Sequence, residues 1–215
     1  MLTIWVGTGE EKQEFTVHEA YAASSSKFMK AAIKPGWKEG QQKTIEIPEQ
    51  SPNAFEHYLD WLYADNTEVT VPDTWLSTSC ELYVLAQYLQ DSSFGNAQID
   101  DLQETLDTWY ESIKDIQGDC SDRIPHVMIM TVWGGTPAGC GMRRLILRYF
   151  AAQWCKGTLD YPENCLPALP AEFWQELCKE MLPLKHSEEA RTYRRPTFAD
   201  RCEFHEHEEG EPRCT

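Results

Sequence analysis

The sequence is poor in positive charge. Nineteen Lys and Arg stand against 35 Asp and Glu, a formal charge of −16 over 215 residues. A field of that sign repels phosphate backbones and anionic headgroups, which argues against nucleic acid and membrane surfaces as partners. The one basic cluster, Arg191, Arg194 and Arg195 in "EEARTYRRPTF", sits beside Glu188 and Glu189 and reads as a local ion-paired segment. Long apolar runs are missing too, since no stretch approaches the roughly 20 residues that span a bilayer. "LTIWV" after Met1 is too short for a signal-peptide core and has no basic flank, so the expectation is a soluble intracellular chain, cytoplasmic or nuclear. Eight Cys spread over such a chain are expected as reduced thiols, with Cys80 and Cys178 behaving as small buried groups on helices.

Catalytic signatures are also lacking. There is no Gly-x-Ser-x-Gly elbow, and neither "HEAYA" nor "HEHEE" completes a His-Glu-x-x-His zinc helix. Gly7 and Gly9 lead to no third Gly, no Gly-Lys-Ser/Thr follows, and the next element is a strand, which rules out a phosphate loop. No repeat of solenoid or propeller length occurs. His18, at a strand-to-helix junction, reads as a helix-start residue serving local backbone groups rather than as a base. The expectation is therefore a protein that is not an enzyme.

What is present is a foldable pattern. An apolar fraction of 41%, with 12% aromatic residues and eight Trp, predicts a real core, and a chain of this size buries roughly 70% of its unfolded surface. "LTIWVG" and "EFTVH" predict a hairpin around "TGEEKQ", and "KTIEIP" a third strand with Ile45 and Ile47 on one face. Between them lies a helix running on from His18 and rich in Ala and Ser, then "KPGWKEGQQ" as turn material. Ser51 and Pro52 start a helix whose Phe55, Tyr58, Leu59 and Leu62 form one stripe. Leu82, Leu85, Ala86 and Leu89 repeat the spacing, and "TEVTV" before them predicts a short edge strand. Further stripes follow at Ile99, Leu102, Leu106 and Trp109, at Met142, Leu145, Ile146 and Tyr149, and at Phe173, Trp174, Leu177 and Met181, with "GGTPAGCG" as a breaker. From about Lys185 the chain turns charged and poor in aliphatics.

"FTVHEAYAASSSKFMKAAI" followed by "WKEGQQKTIEIPEQSPNAFEHYLDWLYAD" resembles the BTB/POZ domain. That family's signature is a strand, a His-led helix with Ser and Phe near its middle, a Gly-containing turn, an Ile-x-Ile-Pro strand and a helix ending in Trp-Leu-Tyr. Here the matching residues are His18, Ser26, Phe28, Gly40, Ile45, Ile47, Pro48, Phe55, Trp61, Leu62 and Tyr63. The helical remainder and the ending "CEFHEHEEGEPRC" further resemble the short stand-alone members common in filamentous fungi. The resemblance implies an α+β fold, a small mostly three-stranded sheet capped by helices, and then an all-helical extension. The expected organisation is a BTB/POZ domain at 1–118, a helical extension at 119–184 and a charged tail or small appendage at 185–215.

The resemblance also implies protein–protein interaction. In many family members the first helix lies at or near a dimer interface, and Ala20, Ala23 and Ser24 offer a smooth face for one here, while Tyr21, Phe28 and Ala32 are expected to point inward; the alternative is that all of these pack within the chain. Members that dimerise by strand exchange carry an additional helix and strand before the first core strand. This chain begins at that strand with Leu2, so a monomer or a weaker helix-to-helix homodimer is expected. Cullin-binding members use the surface around the third and fourth helices, which gives Tyr58, Tyr63, Asp65 and Tyr83 as contact candidates for a substrate adaptor of a cullin ubiquitin ligase; the alternative is that the aromatic residues on those helices pack internally. The competing readings are a nuclear regulatory or scaffold protein recruiting basic partners through an acidic tail, and an enzyme whose residues converge from distant segments.

The sequence carries one candidate metal set, Cys202, His205, His207 and Cys214, spaced C-x2-H-x-H-x6-C. Two thiolates and two imidazoles suit tetrahedral zinc, which could order a segment too small to build its own core. The spacing fits no standard finger, so a docked tail without metal or any other cofactor is the default reading.

Overall fold

The computed structural model describes residues 1–64, 75–113, 126–153, 169–182 and 201–207. They fall into two compact units. The first holds 1–64 and 81–97, and the second holds 75–80 together with the described residues from 98 onward.

The first unit is built on three strands, β1 (Leu2–Val6), β2 (Gln13–Val17) and β3 (Thr44–Ile47), in the order β2-β1-β3. The β1–β2 pair is antiparallel, with Ile4 opposite Phe15, and β1 runs parallel to β3, with Ile4 opposite Ile45 and Val6 opposite Ile47. Alternation of side chains along a strand puts Leu2, Ile4, Val6, Val17, Ile45 and Ile47 on one buried face, while Glu14, Thr16 and Glu46 are exposed. The hairpin turn passes through Gly7 and Gly9, both at positive φ, and closes with a 3-10 turn at Gly9–Glu11. A parallel pair needs a crossover. It is supplied by α1 (Glu19–Ser25), α2 (Lys27–Ala32) and α3 (Lys38–Gln42).

That crossover departs from the expected single helix and turn in three ways. The helix breaks at Ser26, which is extended; its hydroxyl accepts from the Met29 amide at 3.1 Å, capping α2, and donates to the Leu89 carbonyl at 2.6 Å. Residues expected as turn material form α3, whose Gly40 faces the Lys34 carbonyl so closely that a Cβ there would overlap it. Tyr21, expected inward, is 45% exposed, and Ala22 takes the core position instead. Phe28 and Ala32 are partly buried against the core as expected.

All or part of three longer helices complete the described architecture of this unit: α4 (Pro52–Tyr63), α5 (Trp75–Leu89) from residue 81 onward, and the beginning of α6 (Ser92–Ile113). The Ser51 hydroxyl caps α4 at the Ala54 amide, with Pro52 in the first turn. Phe55, Tyr58, Trp61 and Leu62 of α4 join Leu82, Leu85, Ala86 and Leu89 of α5 and Phe94 of α6 in one cluster with the inner face of the sheet. The fold is α+β, as the resemblance implies.

The second unit is helical among the described residues. The later part of α6 contributes Ile99, Leu102 and Leu106, all fully buried, beside α7 (His126–Gly135), α8 (Gly141–Gln153) and α9 (Ala171–Met181). Met142, Leu145, Ile146 and Tyr149 of α8 and Phe173 and Leu177 of α9 face its interior. Cys178 does not, and is exposed; it follows Leu177 by about 100° around α9, on the edge of the apolar stripe, whereas Cys80 is buried as expected. Arg143 fixes the α7–α8 corner. Nearly fully buried, it donates from Nη2 to the Trp133 and Thr136 carbonyls at 3.0 and 2.6 Å and from Nη1 to Glu176 of α9 at 3.3 Å. No helix among the described residues is long and apolar enough to cross a membrane. The "TEVTV" strand and the side chain of Trp109 lie outside the described residues.

Candidate functional site

The outer face of α1 follows from helix geometry. At about 100° per residue, Ala23, Ala20, Ser24 and Tyr21 occupy one continuous arc and Ala22 lies opposite. Burial agrees with that arrangement, because Ala20, Ser24 and Tyr21 are exposed, Ala23 is half-buried and Ala22 is fully buried. Ala22 as the inward residue keeps α1 close to the core without a large side chain between.

Tyr21 belongs to an aromatic group at the junction of β2, α1 and the end of α4. Its ring lies 5.1 Å from that of Tyr63 and 6.0 Å from that of His18. The His18 amide donates to the Tyr63 hydroxyl oxygen at 3.0 Å, and that hydroxyl lies 3.0 Å from His18 Nδ1. With Nδ1 unprotonated, the hydroxyl accepts from the backbone and donates to the ring, so Tyr63 satisfies one of the orphan amides at the start of α1. Both tyrosines still offer surface, Tyr63 being 43% exposed. Nearby, Lys43 Nζ reaches Glu19 Oε1 at 2.7 Å and holds that carboxyl below its ordinary value.

The other tyrosines expected to meet a partner are not on the surface. Tyr58 and Tyr83 are fully buried, which removes them as contact residues in the folded chain; Asp65 lies outside the described residues. The physical reason for Tyr58 is its place on the apolar stripe of α4 and a polar anchor inside. Its hydroxyl donates to Asp91 Oδ2 at 3.0 Å, the Ser25 hydroxyl donates to the same oxygen, and Asp91 Oδ1 accepts from the Phe94 amide at 3.0 Å. This carboxylate ties the end of α1 and the middle of α4 to the α5–α6 link while capping α6. Burial pushes the Asp91 carboxyl above its ordinary range, opposed by the hydrogen bonds from Ser25, Phe94, Tyr58 and Ser93. Burial also raises the Tyr58 phenol, and the neighbouring Asp91 charge adds to it. "LQDSSF" carried the signal for Asp91, an Asp three residues before a core Phe at the end of one helix.

A further groove of about 450 Å³ opens between α2, α3 and β3, lined by Phe28, Ala31, Trp37 and Thr44 among others. Trp37 at its rim is 61% exposed.

The tail brings three of its four expected metal ligands together. Donor atoms of Cys202, His205 and His207 all lie within 4.8 Å of one another, with Cys202 Sγ 2.9 Å from His207 Nε2. The fourth, Cys214, lies outside the described residues. The segment carrying them is docked on the second unit, where Phe204 is buried, the Gly141 amide donates to Glu206 Oε1 at 3.1 Å and Arg148 meets Glu203 at 3.0 Å.

In the first unit a mixed three-stranded sheet lies against helices, and α1 turns small residues outward. The BTB/POZ domain family model matches residues 2–117, and the chain belongs to that family. No curated protein matches the chain.

Proposed function

We propose that this chain recruits other proteins through the outer face of α1 and the adjoining His18, Tyr21 and Tyr63 cluster, and that it serves as a substrate adaptor of a cullin ubiquitin ligase. The observation that carries the reading is Tyr21, a large ring 45% exposed on a helix whose other outward residues are small. Small neighbours let a partner approach closely, and Tyr21 at the edge of the arc, beside Tyr63, offers an aromatic anchor of the kind that supplies much of the binding energy in many interfaces. Family membership supports protein recruitment, and the adaptor role extends that membership to one class of partner. A homodimer through Ala20, Ala23 and Ser24 would use the same face and compete with such a partner.

The test is titration of a cullin's amino-terminal domain into the full chain, with a known BTB adaptor as positive control. Saturable binding that weakens about thirtyfold in Tyr21→Ala, a loss of about 2 kcal/mol, is the expected result. No binding beside a working control removes the cullin assignment. Undiminished binding by Tyr21→Ala removes the α1 face. The scaffold reading draws on the net charge of −16 and requires binding that fades as salt rises and as the tail's acidic residues are neutralised.

A further inference from the structure

The tail cluster carries chemistry that recruitment through α1 does not use. Cys202, His205 and His207 present one sulfur and two ring nitrogens within 4.8 Å of one another. Zinc bonded at about 2.3 Å to sulfur and about 2.0 Å to nitrogen sets a tetrahedral S···N edge of about 3.5 Å. The Cys202 Sγ to His207 Nε2 separation of 2.9 Å is shorter than that edge and the 4.8 Å outer bound is longer. Admitting the ion therefore needs side-chain adjustments of an ångström or so, and Cys202 is only half-buried and His207 exposed.

The third corner is held more firmly. His205 is buried, and its Nε2 lies 2.9 Å from Asp100 Oδ1 on α6. A carboxylate on one imidazole nitrogen is the arrangement that orients metal-bound histidines, fixing the tautomer and raising the basicity of the other nitrogen. With Asp100 accepting from Nε2–H, metal bonding by this ring falls to Nδ1.

Around the cluster, the backbone is already seated. Gly141 at the start of α8 lies so close to the Phe204 carbonyl that a Cβ would overlap it, and Arg144 Nη2 donates to the Glu203 carbonyl at 3.2 Å. Residues 201–207 are too few to build a core, and a metal would add the cross-link that their short apolar contact lacks.

We infer that Cys202, His205 and His207 bind a zinc ion, that Asp100 positions His205 for it, and that the metal fastens residues 201–207 to α6 and α8. One thiolate with two imidazoles is a borderline-soft donor set, which suits zinc and disfavours magnesium and calcium. The ion's role is structural, independent of which protein docks on α1.

The full-length chain, stripped with a chelator, is titrated with cobalt and then with zinc in competition with a chromophoric chelator. One equivalent of cobalt is expected to give a thiolate-to-metal charge-transfer band, which zinc then abolishes. Cys202→Ser should remove that band. His207→Gln, a change at an exposed residue, should weaken zinc binding at least tenfold, and Asp100→Asn by about 10- to 100-fold while keeping the band at saturating cobalt. Absence of the band in the unaltered chain overturns the inference. So does a band and affinity that survive undiminished in both Cys202→Ser and His207→Gln, since the metal would then sit on other cysteines.

Discussion

Replacing Asp91 by Ala tests whether one buried carboxylate holds the first unit together. Asp91 is 3% exposed and receives the Ser25 and Tyr58 hydroxyls and the Phe94 amide. The substitution removes the cap of α6, which costs about 1 kcal/mol. It also leaves the Tyr58 hydroxyl, fully buried on α4, without its acceptor, which costs about 1–3 kcal/mol. The sum is about 3 kcal/mol, read as a lower urea midpoint with unchanged slope. A double-mutant cycle isolates the pair. Tyr58→Phe should cost about 1 kcal/mol in the unaltered chain and nothing, or less than nothing, beside Asp91→Ala, because the orphaned hydroxyl goes with it. A loss below about 1 kcal/mol for Asp91→Ala, or strict additivity with Tyr58→Phe, refutes the anchoring argument.

The pH dependence follows with its own sign. Burial raises the folded Asp91 carboxyl above the ordinary 3.8, so the native state binds this proton more readily than the unfolded chain. Stability from the group is complete below that ordinary value and is lost as pH rises through the raised one. Asp91→Asn keeps a capping oxygen for the Phe94 amide but has no such transition. Measured against it, the unaltered chain should lose stability across that interval and run parallel above it. A difference that grows in favour of Asp91 with rising pH would mean that the hydrogen bonds outweigh desolvation.

Two further substitutions probe the second unit. Arg143→Met removes the donors held by the Trp133 and Thr136 carbonyls and strands Glu176, so thermal unfolding should show a loss of about 3–5 kcal/mol; Arg143→Lys should recover only part, because one ammonium cannot serve both α7 and α9. Gly141→Ala places a methyl against the Phe204 carbonyl, so limited trypsin digestion should cut at Arg201 faster than in the unaltered chain, while unchanged protection would show that residues 201–207 are not seated on α8.

Patterns with one dominant period were legible from the residues alone. Ile45 and Ile47 alternate with exposed Glu46, and Phe55, Tyr58 and Leu62 recur at helical spacing, because each faces a core along a single direction. What escaped that reading was set from far along the chain. The break at Ser26 depends on the Leu89 carbonyl as an acceptor 63 residues away, and nothing in "ASSSKF" announces it. Tyr58 and Tyr63 show how the two kinds of information conflict. They are five residues apart on α4, so their side chains diverge by about 140° and cannot share a face. The apolar stripe already claimed Tyr58, and its burial follows from that stripe, whereas the resemblance offered both as contact candidates. Periodicity was the better guide, because a stripe states a burial direction within this chain, while a family's contact surface states only where some relatives meet their partners. Tyr21 reverses the case: an aromatic residue invites an inward assignment, yet close packing of α1 admits only Ala22 there, and the ring displaced outward is the feature on which the proposed docking face rests.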